Sequence, residues 1–122
     1  MAIIERTRAS QKKGETKMEN IKKLIDLKEF NKAAEMLRDQ GIKYQREDSG
    51  VVYSEGRIME RHVIKAVDEN GEWIWDFVCS YGTYGSEQGL LEYWSKSLSD
   101  AGDDPRGWLT AEEVLQLIKD GV

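Results

Sequence analysis

A β-hairpin centred on Asn70-Gly71 is the feature that most constrains the fold of this chain. Asn-Gly between two apolar segments is the strongest short-range hairpin signal, and residues 58–68 and 72–79 on either side have the composition of strands. A two-residue turn predicts the pairs Val67–Ile74, Ala66–Trp75, Lys65–Asp76, Ile64–Phe77, Val63–Val78 and His62–Cys79. The sheet face toward the core is then Ile64, Ala66, Trp73, Trp75, Phe77 and Cys79.

Two segments carry the capping-box pattern that opens a helix. Asp26-Leu27-Lys28-Glu29 precedes a helical apolar period that reaches Leu37, with Gly41 as its stop. Thr110-Ala111-Glu112-Glu113 precedes a second one that stops at Gly121. A shorter helix is predicted over 19–25.

The remaining segments complete an α+β prediction. Short strands are expected over 42–46 and 51–54, around a turn at 47–50. Leu90, Leu91, Trp94 and Leu98 predict a helix, and residues 99–107 predict an acidic turn. The expected architecture is a small antiparallel sheet of three or four strands, with N-terminal and two C-terminal helices packed on one face.

Composition limits the function classes open to the chain. Its 122 residues are 39% hydrophobic, so residues 18–122 are expected to form a single domain. One Cys and one His exclude a disulfide framework and a cysteine-cluster zinc site, and we expect no cofactor and no metal. The sequence has no apolar run long enough to cross a membrane and no secretion signal, which predicts a cytoplasmic protein.

Residues 1–17 are expected to be a mobile basic tail. They hold five Lys/Arg and two Asp/Glu and have no sustained apolar period. Lys12-Lys13-Gly14-Glu15 can be encoded by a purine run that resembles a bacterial ribosome-binding sequence a short distance before Met18. We therefore also consider that Met18 is the true start and that the tail is not native.

Charge is distributed unevenly along the chain. Residues 66–122 hold three Lys/Arg against twelve Asp/Glu, whereas residues 1–65 hold fifteen against eleven. The acidic half repels phosphate backbones and favours a protein partner with a basic surface. Two alternatives stay open: the acids serve solubility alone, or residues 1–65 bind nucleic acid.

A Cys–His pair is the candidate catalytic site. The predicted register places His62 opposite Cys79, with Glu60 on the same face to orient the imidazole. Cys79 also precedes a Gly-rich loop whose backbone amides could stabilise an oxyanion. The alternative is that Cys79 is a small buried apolar residue and that His62 caps the edge of the core.

Aromatic and acidic residues of the C-terminal half are the candidate binding surface. Tyrosine and tryptophan are favoured where an interface loses its water, and carboxylates steer a basic partner. The leading hypothesis is a non-enzymatic module that binds a partner protein through Tyr81, Tyr84, Asp100, Asp103, Asp104, Trp108, Glu112 and Glu113.

Residues 81–92 (YGTYGSEQGLLE) and 107–114 (GWLTAEEV) resemble small uncharacterised phage and prophage proteins of Gram-positive bacteria. The resemblance implies a phage-encoded accessory protein, and it transfers no catalytic residues. Such proteins often bind and inhibit host machinery, including nucleic-acid-handling proteins, sometimes by presenting a DNA-like acidic surface.

Overall fold

The computed structural model describes residues 25–52, 58–80 and 82–122. They form three α-helices, a short 3₁₀ helix at Ser86–Gln88 and five strands, which confirms the α+β class. The helices are α1 (Lys28–Asp39), α2 (Lys96–Asp100) and α3 (Ala111–Asp120); the strands are β1 (Gln45–Val52), β2 (Ile58–Val67), β3 (Trp73–Val78), β4 (Leu91–Ser95) and β5 (Arg106–Leu109). The predicted tail at 1–17 lies outside the described residues, as does nearly all of the predicted helix at 19–25.

The five strands form one antiparallel sheet in the order β1-β2-β3-β4-β5. Each strand pairs with the next one along the chain, so every connection is local. The sheet has one or two strands more than predicted, because part of the expected C-terminal helix and part of the expected acidic turn are strands.

The central hairpin keeps the predicted register away from its turn. Ala66 pairs with Trp75 and Val63 with Val78, as expected. The turn itself has three residues, with Gly71 at φ 81° and the Gly71 amide donating to Asp68 at 2.9 Å. A register shift after Ala66 offsets the extra loop residue, so Val67 pairs with Trp73 and the predicted Val67–Ile74 pair is wrong. Trp73 consequently contacts Trp94 instead of the core.

Strand β1 replaces the two short strands and turn predicted for this region. Its polar residues pair continuously with β2, including Glu47 with Val63 and Asp48 with His62. Glu47 also forms an ion pair with Arg61 at 3.0 Å. Cross-strand partners of opposite charge let a polar segment stay extended, so the turn prediction at 47–50 is wrong.

The predicted helix from Leu90 is also wrong. Leu91, Tyr93 and Ser95 are buried and alternate with half-buried Glu92 and Trp94, as in a strand. The helix begins only after Ser95, whose hydroxyl accepts from the Leu98 amide at 3.0 Å. Strand β5 (Arg106–Leu109) includes the last two residues of the acidic turn expected over 99–107.

The two predicted capping boxes have different outcomes. Thr110 and Glu113 form a reciprocal capping box at the start of α3, as predicted, and Gly121 ends that helix at φ 72°. At α1, Asp26 accepts from the Lys28 amide at 2.9 Å, but Glu29 accepts from the Ala111 amide at 2.8 Å. Glu29 therefore links the starts of two helices instead of completing a box at its own.

All three helices contribute to a core on one face of the sheet. Phe30 of α1 packs edge-on against Phe77 of β3 with ring centroids 5.7 Å apart. The core comprises Phe30, Ala33, Ala34, Leu37, Ile64, Ala66, Trp75, Phe77, Cys79, Leu91, Tyr93, Leu98, Ala111, Val114 and Leu115. In the described part of the chain no helix covers the opposite face, which we call the outer face.

Candidate functional site

The candidate catalytic residues lie where β1, β2 and β3 meet. His62 and Glu60 are both buried on β2, and His62 Nε2 lies 2.7 Å from Glu60 Oε1. His62 Nδ1 lies 2.5 Å from Oδ1 of Asp48 on β1. The structure therefore brings His62 and Glu60 together as predicted and adds Asp48, which the sequence did not single out.

The carboxylate of Asp48 fixes the protonation of one imidazole nitrogen. Burial by itself raises the pKa of Asp48, but hydrogen bonds from Arg46 and His62 outweigh burial and lower this pKa below its ordinary value. An ionised Asp48 only accepts, so His62 Nδ1 carries a hydrogen and donates.

The thiol of Cys79 makes its hydrogen bond with the main chain. Its Sγ donates to the Leu90 carbonyl at 3.6 Å, and its backbone amide donates to the His62 carbonyl at 3.0 Å. Burial, with the nearby Glu60 and Asp26 carboxylates, raises the pKa of Cys79 to about 11. With a pKa of about 11 the side chain is a protonated thiol at neutral pH, and both nitrogens of the His62 imidazole face carboxylates.

A second group of predicted residues forms an exposed aromatic pair. Tyr84 and Trp108 stack with ring centroids 5.1 Å apart and planes 19° apart. Their side chains are 55% and 56% exposed. The Trp108 amide also donates to the Tyr84 carbonyl at 3.3 Å. The third predicted aromatic, Tyr81, lies outside the described residues.

The backbone around this aromatic pair is specialised. Trp108 adopts φ 55°, and among the described residues it is the only non-glycine with a positive φ. A Cβ at Gly107 would lie 2.5 Å from Tyr84 Cβ, and one at Gly85 would lie 3.0 Å from Trp108 Cα. A left-handed conformation is costly for a bulky residue. The strained backbone of Trp108 and the two glycines therefore allow the two aromatic rings to stack at the surface.

Two carboxylates lie on the outer face beside the aromatic residues. Glu92 Oε1 accepts from the Tyr84 amide at 2.8 Å, which places this carboxylate next to the backbone of one member of the aromatic pair. Asp76, on β3, accepts from Trp73 Nε1 at 3.0 Å. Burial, together with the charge of Glu92, raises the pKa of Asp76 to about 6. Sequence analysis did not single out Glu92 or Asp76, and strand alternation in 91–95 was the signal that could have placed Glu92 on this face.

Some of the predicted acidic residues form ion pairs or cap a helix, and others are exposed without such a contact among the described residues. Glu112 forms an ion pair with Lys32 of α1, and Glu113 is occupied in the capping box. Asp100 lies 3.7 Å from Lys96 in an exposed pair. Asp103 and Asp104 are exposed in the loop before β5. The described residues contain no cluster suited to a metal ion and no helix long and apolar enough to cross a membrane.

Comparisons with protein families, with curated proteins and with solved structures found no match to this chain.

Proposed function

We propose that this protein is a small binding module that docks on a basic surface of another protein. The observation that carries the proposal is the stacked pair of Tyr84 and Trp108, two large aromatic side chains that remain more than half exposed. Buried aromatic anchors dominate the energetics of protein interfaces, and tryptophan and tyrosine lead among them.

The strained backbone supports a binding role for the pair. A tryptophan at φ 55° loses stability, and its exposed ring recovers little of that loss by packing. Burial of this ring against a partner would supply the missing contact area. Because the two rings are already stacked, little side-chain entropy remains to be lost on binding.

The charge of the same region selects the kind of partner. Residues 66–122 hold twelve Asp/Glu and three Lys/Arg. Asp104 is four residues before Trp108, so the Cα atoms of the two residues lie at most about 14 Å apart. Exposed carboxylates at this distance attract a basic surface and raise the association rate. The ion pairs of Glu112 with Lys32 and of Asp100 with Lys96 leave Asp103 and Asp104 as the steering charges that we propose.

A nucleic-acid-handling protein of a host cell is the partner class that we propose. Such proteins carry the basic surfaces that an acidic module would recognise. The resemblance of residues 81–92 and 107–114 to phage and prophage proteins is consistent with a phage-encoded inhibitor.

The test starts with capture from lysate of the native host, with mass spectrometry to identify proteins retained at low salt and released at high salt. The identified protein is then purified and its binding to the full chain is measured by surface plasmon resonance. We expect Trp108→Ala to weaken binding by at least about tenfold, as for an interface hot spot. Ile74→Ala is the matched control, because Ile74 is another exposed large apolar residue (40%) outside the aromatic pair.

Charge is tested with the same purified pair. Asp103→Lys combined with Asp104→Lys should slow association more than it changes dissociation, since steering acts on the encounter. Equal binding by the wild type and Trp108→Ala would rule out the proposed docking surface.

A further inference from the structure

We infer that the partner group seated on the Tyr84–Trp108 pair is an arginine side chain, with Glu92 as its carboxylate. This inference rests on the proposed function and adds the chemistry of the contact. Glu92, which is bonded to the Tyr84 amide, supplies a carboxylate next to two exposed aromatic residues.

Glu92 is held in place beside the aromatic pair. Its Oε1 accepts from the Tyr84 backbone amide at 2.8 Å, which uses only part of the acceptor capacity of the carboxylate. Glu92 is half-buried on β4, where it pairs with Val78, so the strand restricts its position. The carboxylate is therefore held at the backbone of one member of the aromatic pair, and a cation that stacks on Tyr84 is the group that we propose it binds.

Glu92 has no ion pair among the described residues, although Lys65 faces the neighbouring Asp76 across the strands. No Lys or Arg nitrogen in that part of the chain lies within 4.0 Å of Glu92. The neighbouring Asp76 is also acidic, and the charge of Glu92 is one of the causes that raise its pKa. A partner cation would relieve the repulsion between these two carboxylates.

The geometry favours guanidinium over ammonium. A guanidinium is planar and weakly hydrated, so it stacks on an aromatic face while its edge donates two hydrogen bonds to a carboxylate. A lysine ammonium is a compact, strongly hydrated charge that gains less from the ring. A contact of this kind is present inside the chain, where the Arg46 guanidinium lies 4.8 Å from the Phe30 ring centroid.

The test uses three capped pentapeptides of the form Gly-X-Gly-X-Gly, with arginine, lysine or citrulline at X. Citrulline keeps the planar group and removes the charge. Each peptide is titrated into the full-length protein, and the four tryptophan indole N–H signals are followed by NMR after assignment with single Trp→Phe variants. We expect the arginine peptide to shift the Trp108 signal and to bind about two- to fivefold more tightly than the lysine peptide. The citrulline peptide should bind more weakly than either.

Glu92→Gln is the decisive variant, because glutamine still accepts from the Tyr84 amide but carries no charge. It should weaken the arginine peptide by about two- to fivefold and leave the citrulline peptide unchanged. Asp103→Asn is the matched control for loss of one exposed charge, and it should have a smaller effect. An unshifted Trp75 indole signal verifies that the core of each variant is intact.

Two results would overturn the inference: equal affinity for arginine and lysine peptides, or shifts that leave the Trp108 signal unchanged. Either one is distinguishable from failure of the proposed function. If the purified partner still loses affinity with Trp108→Ala, the docking surface stands and only the arginine assignment fails.

Discussion

His62 on β2 and Asp48 on β1 form a direct hydrogen bond between two neighbouring strands, with Nδ1 and Oδ1 2.5 Å apart. The same Asp48 accepts from Arg46 Nε at 2.9 Å, and Arg46 reaches Asn31 of α1 at 2.9 Å. None of residues 45–50 belongs to the core. This polar network therefore adds side-chain contacts to the backbone ladder that holds the edge strand β1 on β2.

Asp48→Asn should destabilise the protein by about 1 kcal/mol at pH 7, because a charged acceptor becomes a neutral one. The folded-state pKa of Asp48 lies below its unfolded value, so the carboxylate stabilises the fold above about pH 4. That stability is lost as the pH falls through the folded-state pKa. The free energy of unfolding is measured with urea for the wild type and for Asp48→Asn. The difference between the two proteins should be smaller at pH 3 than at pH 7.

Glu47→Gln is the control for this prediction, because Glu47 makes only an exposed ion pair with Arg61. It should change stability by less than about 0.5 kcal/mol. A larger loss in Glu47→Gln than in Asp48→Asn would show that the exposed pair, and not the contact with His62, stabilises β1.

Asp76→Asn should stabilise the protein at pH 7.5. The pKa of Asp76 is raised to about 6, so the folded state binds a proton more tightly than the unfolded chain does. The stability that the protonated Asp76 carboxyl contributes is fully present below about pH 4, and it is lost as the pH rises through 6. Asparagine is neutral throughout and can still accept from Trp73. We expect a gain of about 1 kcal/mol at pH 7.5, after allowance for solvent screening.

Urea unfolding at pH 4 and pH 7.5 measures this effect, and the gain should be smaller at pH 4. Asp103→Asn serves as the exposed control and should be nearly neutral at both values. A stability loss at pH 7.5 in Asp76→Asn would contradict the prediction.

Gly107→Ala should separate the aromatic pair. The new Cβ would lie 2.5 Å from Tyr84 Cβ, so either Tyr84 or β5 must move, at a cost of about 1–3 kcal/mol. Near-ultraviolet circular dichroism, which reports stacked aromatic rings, should lose intensity. Gly102→Ala introduces strain at φ 76° with no side-chain clash, and it should leave that signal unchanged. An unaltered spectrum in Gly107→Ala would mean that this glycine is not required for stacking.

Native Cys79 should react with a thiol reagent at least about 100-fold more slowly than an ordinary cysteine at pH 7.5, because a pKa of about 11 lowers the thiolate fraction by that factor. The unfolded protein should react at the ordinary rate. Rapid stoichiometric labelling of the folded protein would instead support the Cys79–His62 nucleophile.

Local patterns predicted the parts of this fold whose partners lie nearby in sequence. The Asn70-Gly71 hairpin, the capping box at Thr110 and the stop at Gly121 all depend on contacts within a few residues. The turn has three residues instead of the predicted two. A bulge after Ala66 compensates for the additional residue, so the register further along the hairpin is the predicted one. The segment from Leu90 to Leu98 fits both a helical and a strand period, and only pairing with β3 and β5 decided between them.

The candidate sites show the same division. The sequence by itself determined the class of fold and the acidic C-terminal half, and it indicated Tyr84 and Trp108 as candidate binding aromatics. Tertiary structure decided that these two residues are exposed and that their rings stack. It also decided that Glu92 binds the Tyr84 amide, that Glu29 binds the Ala111 amide and that Asp48 faces His62. Hydrogen-bond partners and ring contacts depend on distances between residues far apart in the chain, and no local period encodes those distances.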